Sequence, residues 1–198
     1  MTYDFTTLHP RANSGSSKWA AMQAIRPDLP ADVIPLSVAD MELLNPPEIA
    51  EQLGRYAAGT ILGYTRPGDS YYEAVESWMA RRHGWQIQRD WIVTSPGVVP
   101  ALFHMVLAFT QPGDQVILFP PVYYPFYNAV RESGREIVEC PLLEKDGRYE
   151  IDYDRFSQLA ETGKLLIFSS PHNPVGRVWS REELEKLSAI CLEKEVLV

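Results

Sequence analysis

The stretch Ser169-Ser170-Pro171-His172-Asn173-Pro174-Val175-Gly176-Arg177 follows the apolar run Leu165 to Phe168. An apolar run entering a loop with prolines and a glycine predicts a buried strand that ends at a rigid turn. Pro171 and Pro174 restrict φ and bias the residues before them away from helix, and Gly176 relieves the turn. Asn173 is therefore expected outside the carboxyl end of a strand, where open α/β sheets bind ligands. Taken alone, the loop reads first as a rigid turn with no ligand, and its neighbours change that reading.

The pattern on either side alternates strand and helix. Trp91 to Thr94 reads as strand, Val98 to Phe109 as helix, Gln115 to Phe119 as strand, and Tyr123 to Glu132 as helix ending at Gly134. Glu136 to Cys140 follows as strand, Asp152 to Ala160 as helix, Leu165 to Phe168 as strand, and a helix from Ser180. Ser180 with Glu183 forms a capping box, and Leu184, Leu187, Ile190 and Cys191 give that helix an apolar face. Val196-Leu197-Val198 reads as the start of another strand, so the sheet is expected to continue past the last residue. This alternation predicts an α/β fold with a doubly wound, mainly parallel sheet in three layers. The first 45 residues read as an irregular arm, with helix only around Ser17 to Ile25. Amphipathic helices are expected from Pro46-Pro47 to about Ala58, and from Asp69 to Gly84 with Tyr72, Val75, Trp78 and Met79 on the apolar side.

Composition narrows the function classes. A chain of 198 residues with 45% apolar content can bury an ordinary core. Its net charge of −8, with no basic cluster larger than Arg81-Arg82, argues against nucleic acid as a partner. The amino terminus from Met1 lacks a basic start and apolar core, and no segment has the length of a membrane span, so a cytoplasmic location without membrane association is expected. Cys140 and Cys191 stand apart with no histidine at ligand spacing, and both read as buried thiols with no metal site. Gly-rich signatures of dinucleotide or ATP binding are absent.

Two further loops join the first. Thr94-Ser95-Pro96-Gly97-Val98-Val99 puts a glycine at a strand-to-helix bend, which taken alone reads first as an ordinary structural turn and otherwise as a place where unpaired amides of Val98 and Val99 attract a phosphate. Phe119-Pro120-Pro121-Val122-Tyr123-Tyr124-Pro125-Phe126-Tyr127 brings aromatic rings to the same edge, where they either stack on a flat ligand or pack as core.

In this order and spacing the three loops resemble the fold-type I pyridoxal phosphate enzymes, the aspartate aminotransferase superfamily. Ser37-Val38-Ala39-Asp40-Met41, Gly63-Tyr64, Pro96-Gly97-Val98-Val99 and the segment from Ser170 to Trp179 are similar to the PatB/MalY-type C–S β-lyases. The resemblance runs from about Asp4 to Val198 and covers about the amino-terminal half of such an enzyme. It implies residues 1–45 as arm and part of a small domain, and 46–198 as an incomplete large domain that binds pyridoxal 5'-phosphate. By the same resemblance, amides at Gly97, Val98 and Val99 hold the phosphate, Tyr123 stacks on the pyridine ring, and Asn173 bonds its phenolic oxygen. Tyr64 reaches the partner subunit's phosphate, which implies a homodimer, and Ala39 and Asp40 line the carboxylate side of a small amino-acid substrate. His172 is expected only to brace its loop, and the Asn173–Pro174 peptide to be cis.

The Schiff-base lysine and the carboxylate that protonates the pyridine nitrogen belong, in these enzymes, to motifs beyond Val198. Lys18, Lys145, Lys164, Lys186 and Lys194 each read as solvated amines unsuited to attack, so no catalytic residue is assigned. The implied activity is α,β-elimination of cystathionine or cysteine conjugates. An aminotransferase, and an inactive fragment or regulatory binding module, are the alternatives.

Overall fold

A computed structural model describes residues 3–30 and 33–198. Met1, at the amino terminus read above for a leader, lies outside the described residues. The backbone forms two compact units, residues 1–71 and 72–198.

In the first unit, α1 spans Ser17–Ile25 and α2 spans Pro47–Gly59, with Pro47 in the first turn, where the missing N–H costs no helical bond. The rest is irregular. Lys18 departs from the sequence expectation: it is 2% exposed instead of solvated. Its ammonium donates to the Asp40 carbonyl and lies 2.9 Å from Glu42 Oε1 and 3.5 Å from Asp40 Oδ1, so buried charge is matched by charge. Helical spacing gave no sign of this, because the partners lie more than twenty residues away.

Helix α3, Asp69–His83, begins in the last residues of the first unit and leads into the second. It and α2 form where expected, yet neither contains a buried residue; Trp78 remains 52% exposed. An amphipathic pattern specifies a face that needs a cover; it does not supply one.

The second unit is built on a sheet. Helix α4 is Val98–Phe109, strand β1 Gln115–Leu118, helix α5 Pro125–Arg131 and strand β2 Glu136–Glu139. Strands β3, Leu143–Lys145, and β4, Arg148–Glu150, form a hairpin. Helix α6 is Tyr153–Leu159, strand β5 Gly163–Leu166, and helix α7 Arg181–Glu193. The order is β2-β1-β5, parallel throughout, and Leu197 adds a parallel bridge to Leu165 on the far side of β5.

Because side chains alternate across a strand, β1 feeds both faces. Val116 and Leu118 pack with Val106 of α4 and with Phe126, Ala129 and Val130 of α5. Ile117 and Phe119 pack with Phe156 of α6 and with Leu187 and Cys191 of α7. Helices on both faces of a parallel sheet give the three expected layers. The α7 capping box is present, with the Glu183 amide donating to Ser180 Oγ at 3.2 Å and the Ser180 amide to Glu183 Oε2 at 2.7 Å.

Two local expectations are corrected. Trp91 to Thr94 does not form a strand. A 3-10 turn at Arg89–Trp91 precedes extended, unladdered backbone, with Val93 89% exposed; β-branched residues favour extension, but a strand also needs a neighbour. The hairpin of β3 and β4 adds two strands to those expected, and Asp146-Gly147 carries its signature. Both residues have positive φ, 52° and 76°, as a two-residue type I′ turn requires.

Candidate functional site

Adjacent parallel strands end at one edge, so the loops after β1 and β5 emerge side by side. The loop after β5 is closed on itself: the His172 amide donates to the Arg177 carbonyl and the Gly176 amide to the His172 carbonyl, each at 2.7 Å. Gly176 turns the chain at φ 72°, and the peptides before Pro171 and Pro174 are both cis. Asn173 stands exposed at the tip, its amide available for an external partner.

Arg177 is spent on the fold. Its Nε donates to the Tyr149 carbonyl at 2.7 Å, its Nη2 pairs with Glu183, and its guanidinium lies 4.6 Å from the Trp179 ring centre. It thereby ties the loop to β4 and to the cap of α7. Trp179 Nε1 donates to the Ser169 carbonyl at 3.1 Å, and its ring packs against Phe168 and edge-on to His172.

After β1, Pro120-Pro121 is cis and the chain turns into α5. Tyr123 is half-buried, 5.3 Å from Tyr124 and edge-on to Phe126, so its ring is held by aromatic neighbours while part of it faces outward. Gly97 belongs to the same rim by chain direction. Leu102, Phe103 and Val106 lie along the cluster that holds Val116 and Leu118, and a short link returns the chain from Phe109 to the start of β1. Helix α4 therefore runs back along the sheet, its first turn toward the strands' carboxyl ends. Gly97 has φ 148° and caps α4 with no side-chain acceptor; Ser95 Oγ donates to the Gly97 carbonyl instead. The amides of Val98 and Val99, in the first turn, have no intrahelical acceptor available to them.

The donor set suits a flat, phosphorylated heterocycle. Unpaired first-turn amides match a dianion, a partly exposed phenol ring matches an aromatic face, and a free carboxamide matches a ring oxygen.

The remaining predicted site residues lie in the first unit. Ala39 and Asp40 line a hollow of about 560 Å³ with His9, Arg11 and Ser14. Arg11 donates to the Asp40 carboxylate and, at 3.2 Å, to the Met41 carbonyl. The Arg11 hydrogen bond, with the charges of Arg11 and Lys18, holds the Asp40 carboxyl below the usual carboxylate range. The Asp40 side chain is thus already engaged, and what this segment offers a ligand is chiefly backbone. Tyr64 is fully exposed in its loop. Among the described residues, no cluster of three or more His, Cys, Asp or Glu side chains could hold a metal ion, and no helix is long and apolar enough to cross a membrane.

Comparison with known proteins identifies which parallel α/β class this is. The profile of the aminotransferase class I and II family matches residues 31–198, and the chain belongs to that family, with the fold of the fold-type I pyridoxal-phosphate-dependent transferases. Among individual relatives, it is 49% identical to cystathionine beta-lyase PatB of Bacillus subtilis over 169 residues, covering 84% of this chain and 44% of that protein. The crystal structure of cystalysin from Treponema denticola, which contains a pyridoxal 5'-phosphate cofactor, superposes with a TM-score of 0.91 at 51% identity, covering 99% of this chain and 50% of that one. The PLP-bound C-S lyase from Staphylococcus hominis gives a TM-score of 0.88 at 33% identity, with 99% and 50% covered. The chain spans about half the length of these relatives and matches their amino-terminal half.

Proposed function

We propose that this chain is the amino-terminal portion of a pyridoxal-phosphate-dependent C–S β-lyase, which cleaves an amino acid bearing a β-thioether with water to a thiol, pyruvate and ammonia. The observation that carries this reading is the 51% identity and 0.91 TM-score to cystalysin over 99% of the chain, rim loops included. The amides of Gly97, Val98 and Val99 bind the cofactor phosphate, aided by the positive end of α4. Tyr123 stacks against the ring, and Asn173 donates to its phenolic oxygen. Bound there, the cofactor supplies an electron sink for charge developing at the substrate α-carbon. The Ala39–Asp40 segment lines the substrate's carboxylate side. Tyr64, exposed in this chain, serves the phosphate site of a second subunit in a homodimer. Residues 1–45 belong to the arm and small domain, and 46–198 to the large domain.

On this reading the lysine that moves the α-proton is none of the chain's own. Lys18 is held by Asp40 and Glu42, Lys145 by Glu150, and Lys194 by Glu161 and Glu193, while Lys186 lies 4.1 Å from the Tyr153 ring centre and Lys164 is exposed on β5. The 198-residue chain alone is therefore inactive. The test is to purify the complete gene product and supply cystathionine with pyridoxal phosphate. Stoichiometric pyruvate and thiol support the lyase; amino transfer to an added keto acid with the C–S bond intact assigns an aminotransferase instead.

A further inference from the structure

We propose that His172 is a positioning residue for this site: its Nε2–H ties the loop bearing Asn173 to the turn bearing Tyr123, so that both contacts to the cofactor ring are set as one unit. This rests on the reading of the rim as a cofactor site and deepens it.

The argument starts at the end of the sheet. On the β5 side of β1, the last ladder bond runs from the Ile167 amide to the Ile117 carbonyl. On the β2 side the ladder continues, Cys140 to Leu118 and Leu142 to Pro120. The next carbonyl facing β5, that of Phe119, is met by a side chain: His172 Nε2 lies 3.0 Å from it and 3.1 Å from the Pro121 carbonyl. Both neighbours are acceptors, so Nε2 must carry the proton. The imidazole thus extends the β1–β5 pairing past the point where the backbones diverge.

The ring is 1% exposed and packs edge-on to Trp179 at 5.7 Å. Nδ1 is buried with no partner among the described residues, which suits a bare lone pair and would penalise a second N–H. Burial pushes the imidazole below its ordinary pKa, in keeping with a neutral ring. Pro121 lies two residues before Tyr123, and His172 directly precedes Asn173. One side chain therefore links the two loops immediately next to both proposed ring contacts.

The test uses the complete gene product and three variants. His172→Phe keeps a ring against Trp179 but removes the donor. His172→Gln places an amide N–H near the Nε2 position, and His172→Asn stops short of it. The expected result is cofactor affinity at least tenfold weaker, a shifted absorbance maximum of the bound cofactor and a lower kcat with little change in KM for Phe and Asn, with Gln within about threefold of the parent. Parental affinity and absorbance in His172→Phe would overturn the inference. If the Phe variant does not fold, the Gln and Asn pair decides: equal values overturn it. A parent that binds no pyridoxal phosphate overturns the functional reading and this inference with it, whereas a cofactor-binding parent with indifferent variants overturns this inference alone.

Discussion

Asn173 and Gly97 act through different physics, and their variants should fail differently. The Asn173 carboxamide is exposed and makes no hydrogen bond to the described residues, so Asn173→Ala should leave stability near that of the parent. A hydrogen bond to a charged group contributes roughly 1.5–3 kcal/mol, so cofactor affinity should fall about 10- to 100-fold in an absorbance titration of the complete gene product. Gly97 sits at φ 148°, where a built Cβ meets nothing closer than Pro100 Cδ at 3.6 Å. The obstacle to a side chain there is backbone conformation, not space. Gly97→Ala should cost about 1–2 kcal/mol in urea unfolding and also weaken phosphate binding, because the strained turn aims the first amides of α4. Arg177 contrasts with both. With its guanidinium spent on Tyr149, Glu183 and Trp179, Arg177→Lys should lower Tm while leaving the substrate KM unchanged.

Individual elements depend on contacts that no local pattern reveals. Gly163 opens β5, and a Cβ there would lie 2.5 Å from Ile117 Cδ1, 2.8 Å from Ile117 Cγ1 and 3.2 Å from the Leu159 carbonyl. Ile117 is fully buried and cannot swing aside. Gly163→Ala should therefore destabilise the second unit by about 1–3 kcal/mol, the usual cost of overpacking, read as a lower urea midpoint. The cap of α7 is the opposite case, since Ser180 and Glu183 announced it in advance and the bonds formed as the spacing implies. The strand expected at Trp91 to Thr94 failed for want of a partner, a property of the sheet and not of those four residues.

Across the chain, the two thiols report on the sealed core of the second unit. Burial pushes Cys140, with a contribution from nearby Asp152, up to about 11, and burial likewise pushes Cys191 up to about 11. The folded chain then holds these protons where an unfolded chain, with thiols near 9, has released them. Their contribution to stability is full below about pH 9 and is lost as pH rises through the folded values near 11. Unfolding free energy should fall over that interval. At pH 8 a thiol reagent should be consumed only after denaturant is added, and rapid labelling of the native chain would contradict this burial.

Most of the order of helices and strands, the turns of the rim loops and the family resemblance were legible in the residues because they rest on short-range signals: hydrophobic period, caps, and proline and glycine at turns. The Asp146-Gly147 turn belongs with these signals, since its two residue types favour the positive φ it adopts. The pairing of Lys18 with Asp40 and Glu42, the engagement of Arg177 and the reach of His172 to Phe119 and Pro121 were not legible. Each joins groups that the chain brings together only after it folds, and hydrogen bonds and ion pairs depend on distances between atoms, which spacing along a sequence does not encode.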